Sequence, residues 1–147
     1  MVAAGIHSLT GPIDATNLAN LEIGQPTHVF DADKVDGAIV IRESVAGEKA
    51  WPLFTEEHVE LPEGTLVIAD QSKVLAIAGV IGCEDSKATA ESRRILLESA
   101  AFDPVSVRKA SRALEIQTDS SARFERGSDP ARVLVGAGRV VHLLERA

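Results

Sequence analysis

The chain has 147 residues, of which 45% are hydrophobic, one cysteine and a formal net charge of −7 at pH 7. A chain of this length buries one core but is too short for two independent domains, so we expect one module spanning residues 1–147. The single cysteine, Cys83, excludes an internal disulfide and a multi-thiolate zinc site. The acidic balance and the 3% aromatic content argue against autonomous nucleic-acid binding, which requires basic surface.

No sequence signal points to a membrane, a cofactor or a metal. Residues 1–6 are apolar but lack a cationic leader, and no segment approaches the roughly 20 apolar residues that span a bilayer. Nucleotide-binding glycine loops, nucleophile elbows and zinc signatures are also missing from the sequence. We therefore expect a soluble, cytoplasmic protein that uses no cofactor.

The first two-thirds of the chain reads mainly as β-structure. A helical pattern covers residues 13–21 and is followed by short aliphatic runs, typical of buried strands, that are separated by turn-forming residues. The predicted strands are residues 39–41, 66–69, 74–81 and 95–97. The predicted turns are residues 36–37, 46–48 and 62–64.

The last third reads as helical. Asp103 and Asp129 each precede a proline, and this pairing predicts helices that begin at those positions. Gly136 and Gly138 weaken the second helix by roughly 1 kcal/mol each relative to Ala, so close packing against a neighbour is expected there. The predicted apolar stripe of that helix is Val133, Leu134, Ala137, Val141 and Leu144.

These elements predict an α+β fold in which helices flank a mixed or antiparallel sheet. Four histidines are too scattered for a helical metal pair, and His142 is expected to pack beside the last apolar stripe. His28 follows turn formers and opens a short extended segment, where it can face a cleft. Glu98 interrupts an apolar run, so it is a functional buried carboxylate, a residue on the solvent face of the strand, or a residue that accepts hydrogen bonds from backbone donors.

Two other segments allow more than one interpretation. Residues 117–127 are rich in hydroxyls and charges between two helices, which favours a ligand-binding loop; alternatively, Arg123, Glu125 and Arg126 form a solvated ion-pair network. Glycines in residues 77–82 indicate close approach to the backbone, either by a ligand or by another part of the chain.

Several motifs in order resemble one family. They are residues 24–31 (GQPTHVFD), 66–70 (LVIAD), 78–82 (AGVIG), 96–102 (LLESAAF), 103–107 and 118–130 (TDSSARFERGSDP). Together they resemble the editing domain of the phenylalanyl-tRNA synthetase beta subunit, over a match that runs from about Gly5 to the C-terminus. The resemblance implies an α+β proofreading domain, N-terminally shortened relative to the family, that hydrolyses tyrosine wrongly esterified to phenylalanine tRNA.

The resemblance also implies roles for individual residues. His28 would lie near the aminoacyl ester and Glu98 would accept a hydrogen bond from the tyrosine phenol. Thr118 would line the side-chain pocket and, with His28, is assigned a catalytic role. No protein nucleophile is required, because an oriented water would attack the ester. The substrate-binding positions implied are His7, Asn17, Ala78, Gly79, Glu98 and Ser120.

The sequence departs from the family at three positions and leaves three functions open. The family usually has arginine at His7, alanine at Ser120 and glycine at Cys83, and such changes alter which ligand fits. One function is editing in trans of a mischarged aromatic aminoacyl-tRNA, with a possible synthetase partner. A second is a repurposed enzyme acting on a small aromatic metabolite. The third is a non-catalytic binding module or a fragment of a longer beta subunit; aminoacylation by this chain alone is not expected.

Overall fold

A computed structural model describes residues 8–146, and the helices and strands below refer to that range. The helices are α1 (Gly11–Ile23), α2 (Pro104–Ala113), α3 (Asp119–Phe124) and α4 (Arg132–Leu144). The strands are β1 (Thr27–Asp31), β2 (Val40–Glu43), β3 (Lys49–Ala50), β4 (Val59–Glu60), β5 (Leu66–Ala69), β6 (Val74–Ile77), β7 (Ile81–Gly82) and β8 (Ile95–Ser99). Single 3₁₀ turns lie at Ala32–Lys34 and Glu84–Ser86.

The strands form antiparallel pairs, which confirms the predicted α+β fold. A four-stranded sheet has the order β2-β5-β6-β7, while β1 pairs with β8 and β3 pairs with β4. The main core packs on β5 and β6, where Val67, Leu75 and Ile77 are almost completely buried. Helix α2 covers this core through Val107, and α3 covers it through Phe124.

A second layer joins the two ends of the chain. Helix α1 packs on α4 and on β1, and α4 also contacts β8. Ala19 and Val140 are fully buried in this contact. Phe30 of β1 belongs to the main core, whereas α1 and α4 pack on the β1–β8 pair. The β1–β8 pair therefore links this layer to the main core.

The close packing expected at the glycines of α4 is found at one of them. A Cβ atom on Gly136 would lie 2.6 Å from Cγ of Gln25, whereas a Cβ on Gly138 would meet nothing within 4 Å. Gln25 is buried and donates from Nε2 to the carbonyl oxygens of Pro26 and Ala100. Gly136 therefore allows α4 to approach a side chain that is itself held in place.

Parts of the predicted α4 are wrong. The helix begins at Arg132, two residues after Pro130, and Asp129 instead accepts a hydrogen bond from the backbone of Ala131. Leu134 is 82% exposed and Val141 46% exposed, so both lie outside the packed face. That face is centred on Gly136 and Val140, because contact with α1 selects the stripe that contains the small residue. His142 is exposed and does not pack.

Two predicted segments also differ from the structure. The run over 74–81 is broken after Ile77 by a turn in which Gly79 has φ 69°, so β6 and β7 form a tight hairpin. Residues 117–127 contain α3 instead of being only a loop. The strands at 39–41, 66–69 and 95–97 and the helix at 13–21 are confirmed within one to three residues. Among the described helices, none combines the length and the apolar character needed to cross a membrane.

Candidate functional site

The β1–β8 pair places the two most unusual polar residues opposite each other. His28 pairs with Glu98 in the antiparallel register. Directly opposite residues project from the same face, with Cβ atoms about 5 Å apart. Thus the histidine and the carboxylate that the sequence singled out separately belong to one site.

This site consists of two adjoining cavities. The inner recess, with a volume of about 50 Å³, is bordered by Glu98, Gly79 and Phe124. The outer chamber, with a volume of about 480 Å³, is bordered by Asn17 and Thr118. The residues that border both are Thr27, His28, Val80, Ile81, Gly82 and Ser120. The chamber is large enough for a small ligand, whereas the recess has room only for water or the end of a side chain.

His28 is held as a neutral imidazole. Burial lowers its pKa from 6.5 to about 4. Its ring packs edge-on against Phe30, with ring centroids 4.7 Å apart, and a Cβ on Gly82 would lie 2.5 Å from its Nε2. Nε2 is buried and has no hydrogen-bond partner among the described residues. Gly82 thus provides space for the ring, and Nε2 keeps an unused hydrogen-bonding capacity.

Among residues 8–146, Glu98 is the only acidic side chain that borders the inner recess. Burial raises its pKa from 4.5 to about 7, and burial is the only cause of this shift. No cation or hydrogen-bond donor of the described residues offsets this loss of water, so backbone donors do not explain the place of Glu98 in an apolar strand. At neutral pH the carboxyl is therefore divided between its neutral and ionised forms.

Thr118 has a position that its predicted catalytic role did not anticipate. Its hydroxyl donates to the carbonyl oxygen of Val80 at 2.7 Å and accepts from the backbone N–H of Ser121 at 3.0 Å. The Ser121 hydroxyl donates to the Thr118 carbonyl oxygen and accepts from the Thr118 N–H, which completes a capping box for α3. Thr118 therefore ties the start of α3 to the β6–β7 hairpin, and its proton is already committed.

The other predicted site residues are distributed unevenly. Ser120 borders both cavities, Gly79 borders the recess and Asn17 borders the chamber. Ala78 is buried in the core and borders neither cavity. His7 lies outside the described residues.

The structure adds residues to the site that sequence reasoning missed. Leu53 and Phe54 border the chamber, and Phe54 is 89% exposed with φ 67°, a backbone conformation rare for a bulky side chain. No sequence pattern marked them. Gly82 was marked only as a point of close approach, and the group that approaches it is the ring of His28.

The remaining polar candidates do not form a metal or redox site. Within residues 8–146, no group of three or more histidine, cysteine and acidic side chains is placed to hold a metal ion. Cys83 is fully buried, and burial raises the pKa of its thiol to about 12. No ion pair joins Arg123, Glu125 and Arg126, because the described pairs of arginine involve Arg42, Arg94 and Arg139.

Comparison with known proteins gives a consistent family. The model of the B3/4 domain matches residues 1–147. Over 140 residues the chain is 49% identical to a phenylalanine–tRNA ligase beta subunit of Aquifex aeolicus, covering 95% of this chain and 18% of the relative. It is 39% identical to that of Thermotoga maritima and 42% identical to that of Acinetobacter baylyi, each over 99% of this chain and 18% of the relative.

A solved structure supports the fold. An N-terminal fragment of the phenylalanyl-tRNA synthetase beta subunit from Pyrococcus horikoshii aligns with a TM-score of 0.53 at 16% identity. The alignment covers 71% of this chain and 39% of that one. The chain thus spans less than a fifth of the length of its curated relatives.

Proposed function

The chain belongs to the B3/4 domain family, and from this we propose that its His28–Glu98 cleft promotes hydrolysis of an aromatic amino acid esterified to the wrong tRNA. The relatives are named as phenylalanine–tRNA ligase subunits, which supports an aromatic aminoacyl-tRNA as the ligand class. The chain either edits in trans or does so as part of a longer synthetase subunit. In either case we expect it to work in the cytoplasm beside other synthetase chains.

The observation that carries the proposal is a desolvated carboxylate with no protein partner. Glu98 borders a recess that is too small for a whole aromatic ring but large enough for a phenol oxygen. With tyrosine, the ionised carboxylate accepts a hydrogen bond from the phenol. With phenylalanine, the same carboxylate remains unpaired and partly desolvated, which disfavours binding. Selection by this mechanism predicts a tyrosine preference of roughly 10- to 100-fold.

The outer chamber suits the rest of the aminoacyl group. It adjoins the recess along the six shared residues, and an aromatic side chain would extend from the chamber toward Glu98 between them. The scissile ester would then lie in the chamber near His28. Ser120, which borders both cavities, would contact the ring between its two ends.

Hydrolysis in this cleft would use water as the nucleophile. A neutral imidazole with an unpaired Nε2 can accept a hydrogen bond from water once the ring turns this buried nitrogen toward the cavities, although its low pKa makes it a weak base at neutral pH. The water oxygen attacks the ester carbonyl carbon, the bond to the ribose oxygen breaks, and that oxygen takes up a proton. Thr118 would act as a positioning residue, because its hydroxyl is already bonded at both ends.

Deacylation of tyrosyl-tRNA(Phe) by the purified chain tests this proposal, with phenylalanyl-tRNA(Phe) as the correctly charged comparison. Selective release of tyrosine is expected, and Glu98→Ala and His28→Ala should reduce it. Glu63→Ala and His142→Ala are matched controls, because both residues are exposed and border neither cavity. Release at the uncatalysed rate, from protein shown to be folded, would exclude editing by the chain on its own.

A further inference from the structure

A third cavity, distinct from the recess and the chamber, lies where the end of α1 meets the segment between α3 and α4. Its volume is about 220 Å³. Its lining is polar, and two of its residues are arginines. The lining residues are Gly24, Gln25, Pro26, Arg123, Gly127, Ser128, Asp129 and Arg132. We call it the arginine cavity.

Arg123 and Arg132 converge on one point in this cavity. A Cβ on Gly24 would lie 3.5 Å from Nη1 of Arg123 and 3.6 Å from Nη1 of Arg132. Because Gly24 has no side chain, the space between the two guanidinium groups stays open. Its left-handed backbone, with φ 76°, ends α1 at this point.

Neither guanidinium is neutralised within the described residues. The arginines that form ion pairs with carboxylates in the described residues are Arg42, Arg94 and Arg139, and neither Arg123 nor Arg132 is among them. Arg132 donates one hydrogen bond to the carbonyl oxygen of Ile23, which leaves most of its donors available. Two close cations without a counterion repel each other, so an anion bound between them would be stabilised.

Two further polar groups complete the cavity. The hydroxyl of Ser128 is buried and has no hydrogen-bond partner among the described residues. A bound oxyanion would accept its proton. Asp129 contributes the opposing negative charge, but its carboxylate accepts from the backbone N–H of Ala131 at 2.9 Å and pairs with neither arginine. The charge balance and the unused donors favour an anion.

We propose that the arginine cavity binds a phosphate of the RNA strand whose aminoacyl end enters the His28–Glu98 cleft, an inference that rests on the proposed function. Pro26 borders both the arginine cavity and the inner recess, and His28, two residues further on, borders the recess and the outer chamber where the ester would lie. Two extended residues separate the Cα atoms of Pro26 and His28 by about 7 Å, comparable to the span of one nucleotide. Arginine forks match phosphate oxygens in pairs, which lysine does not.

The proposal reconciles an acidic chain with a nucleic-acid ligand. A net charge of −7 provides no general attraction for a polyanion. A local pair of arginines can still fix one phosphate beside the His28–Glu98 cleft, which the arginine cavity meets at Pro26. The RNA would then be held by its end rather than along its length.

The test compares two hydrolysis-resistant ligands that differ only in the phosphate. Both carry tyrosine through an amide on 3′-amino-3′-deoxyadenosine, one with a 5′-phosphate and one without it. Dissociation constants are measured by calorimetry at constant ionic strength for the wild-type chain, Arg123→Gln and Arg126→Gln. Arg126 is an exposed residue of the same segment that does not border the cavity, so its loss changes the net charge equally. Arg132 is less suitable, because its bond to Ile23 also holds the end of α1.

We expect the 5′-phosphate to tighten binding about tenfold in the wild-type chain and in Arg126→Gln, and to have little effect in Arg123→Gln. Equal binding of the two ligands by the wild-type chain would overturn the phosphate site while leaving the proposed function intact. If neither ligand binds, the proposed function fails first. Inorganic phosphate that binds as tightly as the phosphorylated ligand would overturn the assignment to RNA, because a free anion would then suffice.

Discussion

His28 lies directly opposite Glu98 in the β1–β8 pair, and burial shifts their pKa values in opposite directions, to about 4 and to about 7. His28 binds a proton less tightly in the folded chain, so its stabilising contribution is complete above pH 6.5 and is lost as the pH falls toward 4. Glu98 binds a proton more tightly in the folded chain, so its contribution is complete below pH 4.5 and is lost as the pH rises toward 7. Between pH 4.5 and 6.5 the two effects oppose each other.

Single substitutions of His28 and Glu98 should separate the two opposing effects of pH on the free energy of unfolding. In Glu98→Gln, the free energy of unfolding should rise more steeply with pH than in the wild type across pH 4.5–6.5, because His28 acts alone. In His28→Gln, the free energy of unfolding should instead decrease with rising pH, relative to the wild type, because Glu98 acts without the opposing effect of His28. Each slope has a ceiling of about 1.4 kcal/mol per pH unit. Urea unfolding at several pH values measures both, with His142→Gln as the exposed control; parallel curves for all four proteins would contradict the burial of the pair.

Thr118 should matter more for stability than for the chemical step. Thr118→Val removes the cap of α3 and the donor to Val80, and we expect a loss of roughly 1–3 kcal/mol. Thr118→Ser keeps the hydroxyl and should retain most of the stability. Thermal unfolding and deacylation are measured on both variants. A folded, fully stable Thr118→Val without activity would show instead that the hydroxyl acts in the reaction.

Gly82 should be required for the position of His28. A Cβ at Gly82 would overlap the imidazole at 2.5 Å, so Gly82→Ala must displace the ring or the hairpin. We expect destabilisation of roughly 1–3 kcal/mol and weaker deacylation. The pKa of His28, followed by NMR, should also rise toward 6.5 as the ring becomes hydrated. An unchanged pKa and unchanged activity would mean that the ring does not depend on this contact.

The two glycines of α4 provide an internal comparison. Gly136→Ala places a methyl group 2.6 Å from Cγ of the buried Gln25 and should destabilise the chain. Gly138→Ala meets nothing within 4 Å and should stabilise it by up to about 1 kcal/mol through helix propensity. Chemical denaturation measures both. Equal effects of the two substitutions would contradict the close contact between Gly136 and Gln25.

Asp70 should contribute to acid stability. Burial raises its pKa, but hydrogen bonds from the backbone N–H groups of Asp36, Ser72 and Lys73 outweigh burial and hold the pKa well below its usual range. Its contribution is therefore present above about pH 4 and is lost as the pH falls further. Asp70→Asn should destabilise the chain at pH 7 and make its unfolding less sensitive to acid below pH 4. Measuring the free energy of unfolding of both proteins between pH 2 and pH 7 checks this prediction. The same loss of stability below pH 4 in both proteins would contradict it.

Local sequence patterns determined much of the fold. Asp103 caps α2 at the expected position, and β5 spans the residues that its aliphatic run predicts. Such features depend on neighbouring residues, so sequence contains them directly. The face of α4 could not be read in this way, since hydropathy favours Leu134 whereas contact with Gln25 requires the glycine at 136.

For the site, the sequence by itself identified His28 and Glu98 as unusual and set the chain's acidic charge. Only the tertiary structure decided that the two face each other, since β-strand register joins residues 70 positions apart through contacts that no local pattern encodes. Tertiary structure also assigned the Thr118 hydroxyl to a cap and brought Arg123 and Arg132 together beside Gly24. The physical reason is the same in all three cases. Burial sets the pKa values, and the proximity of polar groups decides which donors stay unpaired. Burial and proximity both depend on contacts between segments that are distant in sequence.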